Sequence, residues 1–426
     1  MSGDDGVVLV VGSGGRRYRE YLLAGAARRR PLWLLDAAAA TWQKPYVVGT
    51  SVVPLLDGAR LIPDQDRLVS AALDVAGDRE VVGAFSYDET LVVTTAHIAE
   101  TLELPGTTIR GVENCRNKFR NRRSLSGVGL RQPRFAFVRS LDEARAAVEH
   151  VCFPAVLKPQ GMGASIGVIR AEEPARLEAA FDVAYRASYG GNPAYEGGVL
   201  VEEMLSGPEI SVDGVVFDGE YQPLFLARKK VGLEPYFEEI GHVVDPDDPL
   251  LSDSELVDVL GRAHRAVGLR YGITHTEVML TDVGPVIVEV NARLGGDLIP
   301  YLGKLATGID PGEIAADVAS GTRPTIEASR RRPVGIRFLY PPEDCRVLEV
   351  DVPTNGAVPG LLEASPMVEP GAELRLPPKG YIARYAYVIC TAADPGGCSA
   401  ALDEAAALAR VGFEAPSEDP AGLVTF

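Results

Sequence analysis

Three acidic or amide side chains and an arginine, spaced E-x₁₁-E-x-N-x-R from Glu277 to Arg293, carry the most legible chemistry in this sequence. Thr274–Leu280 and Pro285–Val290 are rich in β-branched and apolar residues. Thr281–Asp282–Val283–Gly284 supplies a tight turn between them, so the stretch reads as a hairpin. Folding about that turn sets Glu277 opposite Glu289. Side chains alternate faces along a strand, so Glu289 and Asn291 project to one side. Two carboxylates and an amide oxygen then converge on one point. Like charges that close repel unless a cation separates them, and hard oxygen donors suit Mg²⁺. Arg293 follows where a planar guanidinium can clamp an anion held near the metal. A solvated hairpin with charges on its wet face would explain any one glutamate. It explains the whole array less well, so the array is read as a metal–phosphate site.

A second device lies in Phe153–Ala171, FPAVLKPQGMGASIGVIRA. It reads as strand, glycine-rich loop, strand. A Walker loop places its lysine after the glycines and runs into a helix. Here Lys158 precedes the glycines and β-branched residues follow them. Gly161–Gly167 is therefore read as a flap whose backbone N–H groups, with Ser165, fold over phosphates. Gly161 and Gly163 let the backbone approach a ligand closely. Lys158, on the strand leading into the loop, favours this over a plain surface hairpin. Downstream, Arg228–Lys229–Lys230 is either a basic turn or a further contact for phosphate.

The elements that must position these residues alternate strand and helix. Val7–Gly14 reads as a buried strand ending in a glycine turn, followed by a helix from Arg16 and a strand Pro31–Asp36, the opening of a βαβ unit. Gly12, Gly14 and Asp36 mimic part of a dinucleotide fingerprint. Arg17 stands where its third glycine belongs, so an open α/β sheet is expected here without NAD. Val81–Gly106 adds a strand, a loop and a helix. Ser86–Tyr87–Asp88–Glu89 sits at that strand's carboxyl end, a candidate substrate contact. A basic helix over Asn117–Leu130, a strand and a helix over Leu141–Val151 follow. Gly197–Val216 gives two strands with a polar break at Glu202–Leu205. Strand character continues to Leu226 and then gives way to a loop through Phe237–Pro246. Helices are expected over Ser252–Leu269, Pro311–Gly321 and Ser399–Arg410, with a boundary near Thr322–Pro333.

Composition bounds the rest. A chain of 426 residues exceeds one compact core and implies two to three domains or subdomains. A net charge of −17 speaks against a general nucleic-acid-binding surface. The five cysteines are scattered and form no C-x-x-C pair, which argues against a disulfide framework or a zinc site. The start MSGDDG is acidic where a leader would be basic, and no apolar run reaches membrane length. A cytoplasmic, reduced protein without a membrane partner is expected.

Together these motifs resemble the ATP-grasp superfamily, and within it the bacterial L-amino-acid ligases and related carboxylate–amine ligases, over Arg110–Gly321. The resemblance implies an ATP-grasp fold of α/β class with α+β subdomains. Its parts would be a Rossmann-like domain at 1–108, a lid subdomain at 109–200, a central subdomain with the metal site at 201–325 and a C-terminal mixed subdomain at 326–426. It implies that Lys118 and Lys158 reach nucleotide phosphates and that Gly161, Gly163 and Ser165 cover them. Glu202, Glu203 and Leu205 would hold adenine, with the Glu202 side chain on its exocyclic amine. Glu209 would meet ribose. Glu277, Glu289 and Asn291 would ligate Mg²⁺, with Mn²⁺ as an alternative. Arg293 would hold an acyl phosphate, as a catalytic residue with Lys158 and His242. Glu239, His242, Arg293, Gly296 and Asp297 would face the substrates, a small carboxylic acid and an amine such as an amino acid. The implied activity is ADP-forming amide ligation, with a homodimer left open. The alternatives are a bicarbonate-using carboxylase or carbamoyl-type enzyme, and a non-catalytic nucleotide-binding protein. Two positions depart from the family pattern: Ala292 where proline is usual, and Asp297 where the dipeptide ligases carry an aromatic residue.

Overall fold

The hairpin is the edge of an eight-stranded antiparallel sheet. Its order is Gly284–Asn291, Gly272–Thr281, Glu209–Phe217, Glu220–Gly232, Glu238–Val244, Val334–Leu339, Ala386–Thr391 and Leu361–Pro366. This computed structural model describes residues 6–57, 62–190 and 192–417. The acidic start Met1–Asp5, on which the reading against a leader rests, lies outside them. Glu277 and Glu289 are direct cross-strand partners, and a bulge beyond Glu277 leaves Val288 unpaired. Val278, Ile287 and Val290 point to the other face and are fully buried. They pack on the helix Ser254–Val267, which offers Leu256, Leu260, Ala263 and Val267 on one stripe. Asp253 caps that helix through the Leu256 amide, and Gly268 ends it in the left-handed region. Each large side chain buried there contributes about 1.5–3 kcal/mol. A one-residue slip would expose them all, so the apolar face fixes the register and with it which glutamates turn outward.

One expectation is corrected here. The sequence reading ends strand character at Leu226 and leaves Phe237–Pro246 as a loop. The chain instead continues as strand to Gly232 and pairs with Glu238–Val244, Lys229 facing His242 across the ladder. Ladders on both sides of Glu220–Gly232 outweigh the poor strand propensity of Arg-Lys-Lys. His242 is therefore a strand residue, 1% exposed.

A second sheet, ordered Phe135–Val138, Val199–Glu203, Ala155–Pro159, Ile169–Ala171, forms the lid. The boundary expected at 200/201 falls inside one of its strands. The tip of the central sheet touches this lid: Ile169 bridges to Tyr236, and Arg170 pairs with Glu234 at 3.1 Å. The first domain is the expected open α/β sheet, with parallel strands ordered Gly49–Val52, Leu32–Asp36, Val7–Val11, Val81–Phe85. Val7–Val11 is buried throughout, as a central parallel strand must be. The helix Arg16–Arg29 docks on Pro311–Ala319 through Arg28–Glu313 (2.8 Å) and Arg29–Asp317 (2.9 Å). That contact carries the carboxyl ends of Val7–Val11 and Val81–Phe85 to the central sheet. Beyond residue 326, three strands extend the large sheet. Three others, Glu373–Leu374, Cys345–Asp351 and Arg410–Glu414, form a small sheet of their own. All five cysteines are free, and among the described residues no helix is long and apolar enough to cross a membrane.

Candidate active site

Between the lid and the central sheet lies a cleft of roughly 880 Å³, open mouth included. It gathers residues that the sequence scatters over 170 positions. Lys118, Lys158, Gly163, Ser165, Glu202, Glu203, Leu205, Glu209, Glu239, Glu277 and Glu289 all line it. Gly161 sits just behind, packed on the Tyr195 ring so closely that a Cβ would fall 2.2 Å from it. Asn291, His242, Arg293, Gly296 and Asp297 lie outside that wall. The flap turns through Ala164 and Ser165, both at positive φ (54° and 56°), a conformation costly for side chains other than glycine and common at ligand-holding loops.

Of the three expected metal ligands, Glu277 and Glu289 face each other across the hairpin, and Asn291 lies two residues beyond Glu289. Lys118 Nζ lies 2.8 and 2.9 Å from the two oxygens of Glu289. On the other strand, Glu277 faces Lys229 at 3.5 Å and His275 at 3.7 Å. Asn291 is 4% exposed, and its side-chain amide has no hydrogen-bond partner among the described residues. Two carboxylates that face each other across a hairpin, each now met by a protein cation, suit a hard divalent ion.

Lys229 is the residue that sequence reasoning left undecided. In the strand, alternation turns Arg228 outward to Asp248 and leaves Lys230 exposed, while Lys229 turns into the cleft. Its ammonium meets Glu209 at 2.6 Å, Glu239 at 2.6 Å and Glu277 at 3.5 Å. Burial opposes its charge, but the three carboxylates hold its pKa well above the ordinary lysine value. Glu277 is held well below the ordinary carboxylate range: burial opposes this, and Lys229 and His275 outweigh it. For Glu209 burial wins, and its pKa is raised. His275 is itself braced by Asp213 at 2.6 Å. Burial disfavours its charge, yet Asp213 and Glu277 push its pKa up to about 9. A Cβ at Gly295 would fall 2.8 Å from His275 Nδ1 and 3.1 Å from Asp213 Oδ1, so this glycine makes room for the dyad.

Glu202 takes a different place from the one expected of it. Its carboxylate, 3% exposed, is gripped by Arg122 through Nε and Nη2 and by Lys158 at 2.7 Å. Burial alone would raise its pKa, but the two cations hold it at about 2. Arg122 stands one helical turn after Lys118, so the helix Lys118–Gly127 presents both to the cleft. That i, i+4 spacing was the available signal for Arg122. The Glu203 amide is already given to Arg134 O, at 2.8 Å, which leaves Leu205 as the freer backbone group of the break.

At the far end, Asp297 forms a two-pronged pair with Arg384 (2.6 and 2.7 Å) and meets His242 Nε2 at 3.3 Å. Glu239 Oε2 approaches the same nitrogen at 3.3 Å. Ligand atoms of Glu239, His242 and Asp297 lie within 4.8 Å of one another. Burial opposes the His242 charge, but the two carboxylates raise its pKa above the ordinary value. Arg384 reaches in from the last domain, stacked 3.8 Å over Phe338 and bonded to Tyr340 Oη at 2.9 Å. Arg293 pairs through Nε with Glu89, which also binds Arg116 at 2.7 Å. Burial opposes the Glu89 charge, and these two arginines still hold its pKa at about 2. Glu89 belongs to the Ser86–Glu89 stretch that the sequence marks as a substrate contact. Arg384 comes from 87 residues beyond Asp297, and nothing in the sequence announces it.

Two family models match this chain: an ATP-grasp domain over residues 151–301 and an L-amino acid ligase C-terminal domain over 337–414. Alanine–anticapsin ligase of Bacillus subtilis is 28% identical over 278 residues, covering 60% of this chain and 57% of its own. Phosphoribosylamine–glycine ligase of Phenylobacterium zucineum is 29% identical over 338 residues, covering 71% and 74%. The matched stretch spans little more than half the length of the alanine–anticapsin ligases (52% to 57%). Among solved structures, an L-amino acid ligase from Bacillus licheniformis superposes with a TM-score of 0.78 at 20% identity, over 97% of this chain and 100% of the other.

Proposed function

The chain belongs to the ATP-grasp superfamily, and from that premise we propose that it is an ADP-forming carboxylate–amine ligase that joins amino acids, or an amino acid and a small acid, through an acyl phosphate. The observation that carries this reading is the facing pair Glu277 and Glu289, each held by a lysine at the floor of a nucleotide-sized cleft. Glu277, Glu289 and Asn291 would hold Mg²⁺, which supplies charge neutralisation on the phosphates. Lys118, Lys158 and Lys229 would turn from their carboxylates to phosphate oxygens. The flap around Gly163 and Ser165 would exclude water, which otherwise hydrolyses the intermediate. Leu205 and the backbone of the break would meet adenine, and Glu209 the ribose.

In the first step a substrate carboxylate oxygen attacks the γ-phosphorus, and the bond to the β-bridging oxygen breaks to release ADP. Positioning and charge neutralisation suffice for that transfer. In the second, the substrate ammonium gives one proton to solvent, the free amine attacks the acyl carbon, and the C–O bond to phosphate breaks as the nitrogen's second proton leaves with the phosphate. Arg293 would hold the acyl phosphate, exchanging Glu89 for it. Glu239 and Asp297 would accept hydrogen bonds from a substrate ammonium. His242 sits between them, its Nε2 3.3 Å from each carboxylate, and would anchor the two. Gly296 shapes the loop that presents Asp297.

The test is release of ADP and phosphate with Mg²⁺, then with Mn²⁺, across a matrix of acids and amines, with mass spectrometry of the products. A condensed product formed one-to-one with ADP is expected. Stoichiometric AMP and pyrophosphate, or phosphate release that depends only on bicarbonate, would overturn the reading.

A further inference from the structure

Arg19 is a cation that makes no ion pair among the described residues. It lies in the first turn of Arg16–Arg29, at the carboxyl edge of the first domain's sheet. Its Nη2 donates to Tyr87 O at 3.0 Å, and the guanidinium lies 5.7 Å over the Tyr87 ring. Among the described residues no carboxylate stands within ion-pair distance of it. The chain has 59 acidic against 42 basic residues, so an arginine left unpaired is against the odds. Gly14, at φ 64°, is folded against its stem: a Cβ there would lie 3.1 Å from Arg19 Cγ. The loop that holds Arg19 through Tyr87 holds Arg293 through Glu89, two residues on. Two guanidiniums from different domains thus converge on one loop, one neutralised and one not. The position of Arg19 is costly: burial lowers its pKa, with the nearby charge of Arg293, and the more distant Asp88 carboxylate offsets this only in part. Such a cost is offset when an anion arrives.

We propose that Arg19 binds the carboxylate of the amino acid that supplies the amine. The inference rests on the ligase reading above. In an α-amino acid the amine nitrogen and the carboxylate carbon are two bonds, about 2.5 Å, apart. An amine attacking an acyl carbon held by Arg293 must therefore place its own carboxylate close beside Arg293. Arg19 is the guanidinium there with donors to spare, and its planar fork matches a carboxylate. The bond to Tyr87 O fixes one end of that fork.

The experiment compares a free amino acid with its C-terminal amide as the amine substrate, at saturating ATP and acid, in wild type, Arg19→Met and Arg19→Lys. Wild type should prefer the free acid. In Arg19→Met, kcat/KM for the free acid should fall roughly 10- to 100-fold, through KM, while the amide changes little, so the preference collapses. Arg19→Lys should recover part of it. Equal loss for acid and amide in Arg19→Met would make Arg19 a structural residue and overturn the proposal. So would a wild type indifferent between acid and amide, a measurement that needs no variant. Absence of ADP with every substrate pair in wild type would instead strike the ligase reading itself.

Discussion

Replacing Lys229 with methionine tests how the cleft is held together before any ligand arrives. The ammonium lies within 2.6 to 3.5 Å of three carboxylates, and its side chain is 3% exposed. Methionine keeps the apolar stem and removes the charge. Breaking a buried pair while leaving its partners charged costs about 3–5 kcal/mol. The sign with pH follows from the partners. In wild type, Glu277 is held well below its ordinary value of 4.5, so its contribution is present above that value and lost as acid protonates it. Without Lys229 the three carboxylates repel, their folded-state pKa values rise, and the folded variant binds more protons than the unfolded one. The deficit should therefore be largest near pH 8 and shrink toward pH 5. A divalent cation can replace the lost charge, so millimolar Mg²⁺ should stabilise the variant more than wild type. Hydrogen exchange over peptides covering Glu220–Val244 reads the stability of the two strands directly. Wild-type protection in the variant at pH 8, or a deficit indifferent to both pH and Mg²⁺, would refute the view that the Lys229 charge holds the three carboxylates together.

Two further substitutions separate binding, chemistry and scaffold. Arg293→Lys should bind ATP nearly normally yet lose about 10²–10³ in kcat, because a point charge cannot reproduce the planar fork on an anion that forms only during the reaction; wild-type turnover at saturating substrates would remove Arg293 from the chemistry. Glu202→Gln should cost about 3 kcal/mol in urea unfolding by leaving Arg122 buried without its counter-ion, and should weaken ATP binding by releasing Lys158. Because the Glu202 pKa falls from 4.5 to about 2 on folding, that loss should stay flat from pH 6 to 9, unlike the loss at Lys229; a deficit that varies across that range would mean the carboxylate titrates there.

The hairpin was legible because everything that sets it is local. Its turn residues, its alternation and the apolar set Val278, Ile287, Val290 all lie within twenty residues, and register follows from them. The flap was legible for the same reason: the order of lysine, glycines and β-branched residues excludes a Walker loop. Lys229 was not. Three successive cations read alike until a ladder partner decides which of them turns inward, and that partner, His242, was itself hidden in a segment read as loop. The pairs Arg384–Asp297 and Arg293–Glu89 join residues 87 and 204 positions apart, so only the packed domains bring them together. Asp297 stood out as a departure from the family pattern, but its meaning lay in an arginine on another domain.

The distribution of charge argues for a cleft built around exchange. Six carboxylates line it; Glu203 is paired with Arg134 at 3.1 Å, which leaves Glu202, Glu209, Glu239, Glu277 and Glu289 to face four cations, Lys118, Arg122, Lys158 and Lys229. The set is balanced to within one charge, which is how so many ionised groups can be buried together. On the proposed function, a nucleoside triphosphate would add several negative charges and draw the lysines toward its phosphates. Each lysine that turned would leave a carboxylate less covered: Glu289 would lose Lys118, and Glu277 would lose Lys229 and keep His275 at 3.7 Å. These are the two residues that face each other across the hairpin. A divalent cation would then serve twice over, once for the phosphates and once for the glutamates. On this view nucleotide and metal binding are coupled by the swap of partners, so each should tighten the other by the same factor. Equilibrium binding of a nonhydrolysable ATP analogue, titrated with and without Mg²⁺, measures that factor. In Lys229→Met, Glu277 is already uncovered, so the nucleotide should add less to metal binding and the coupling should fall. Unchanged coupling in that variant would mean that Lys229 stays with its carboxylates when nucleotide binds, and that the metal is drawn by the phosphates alone.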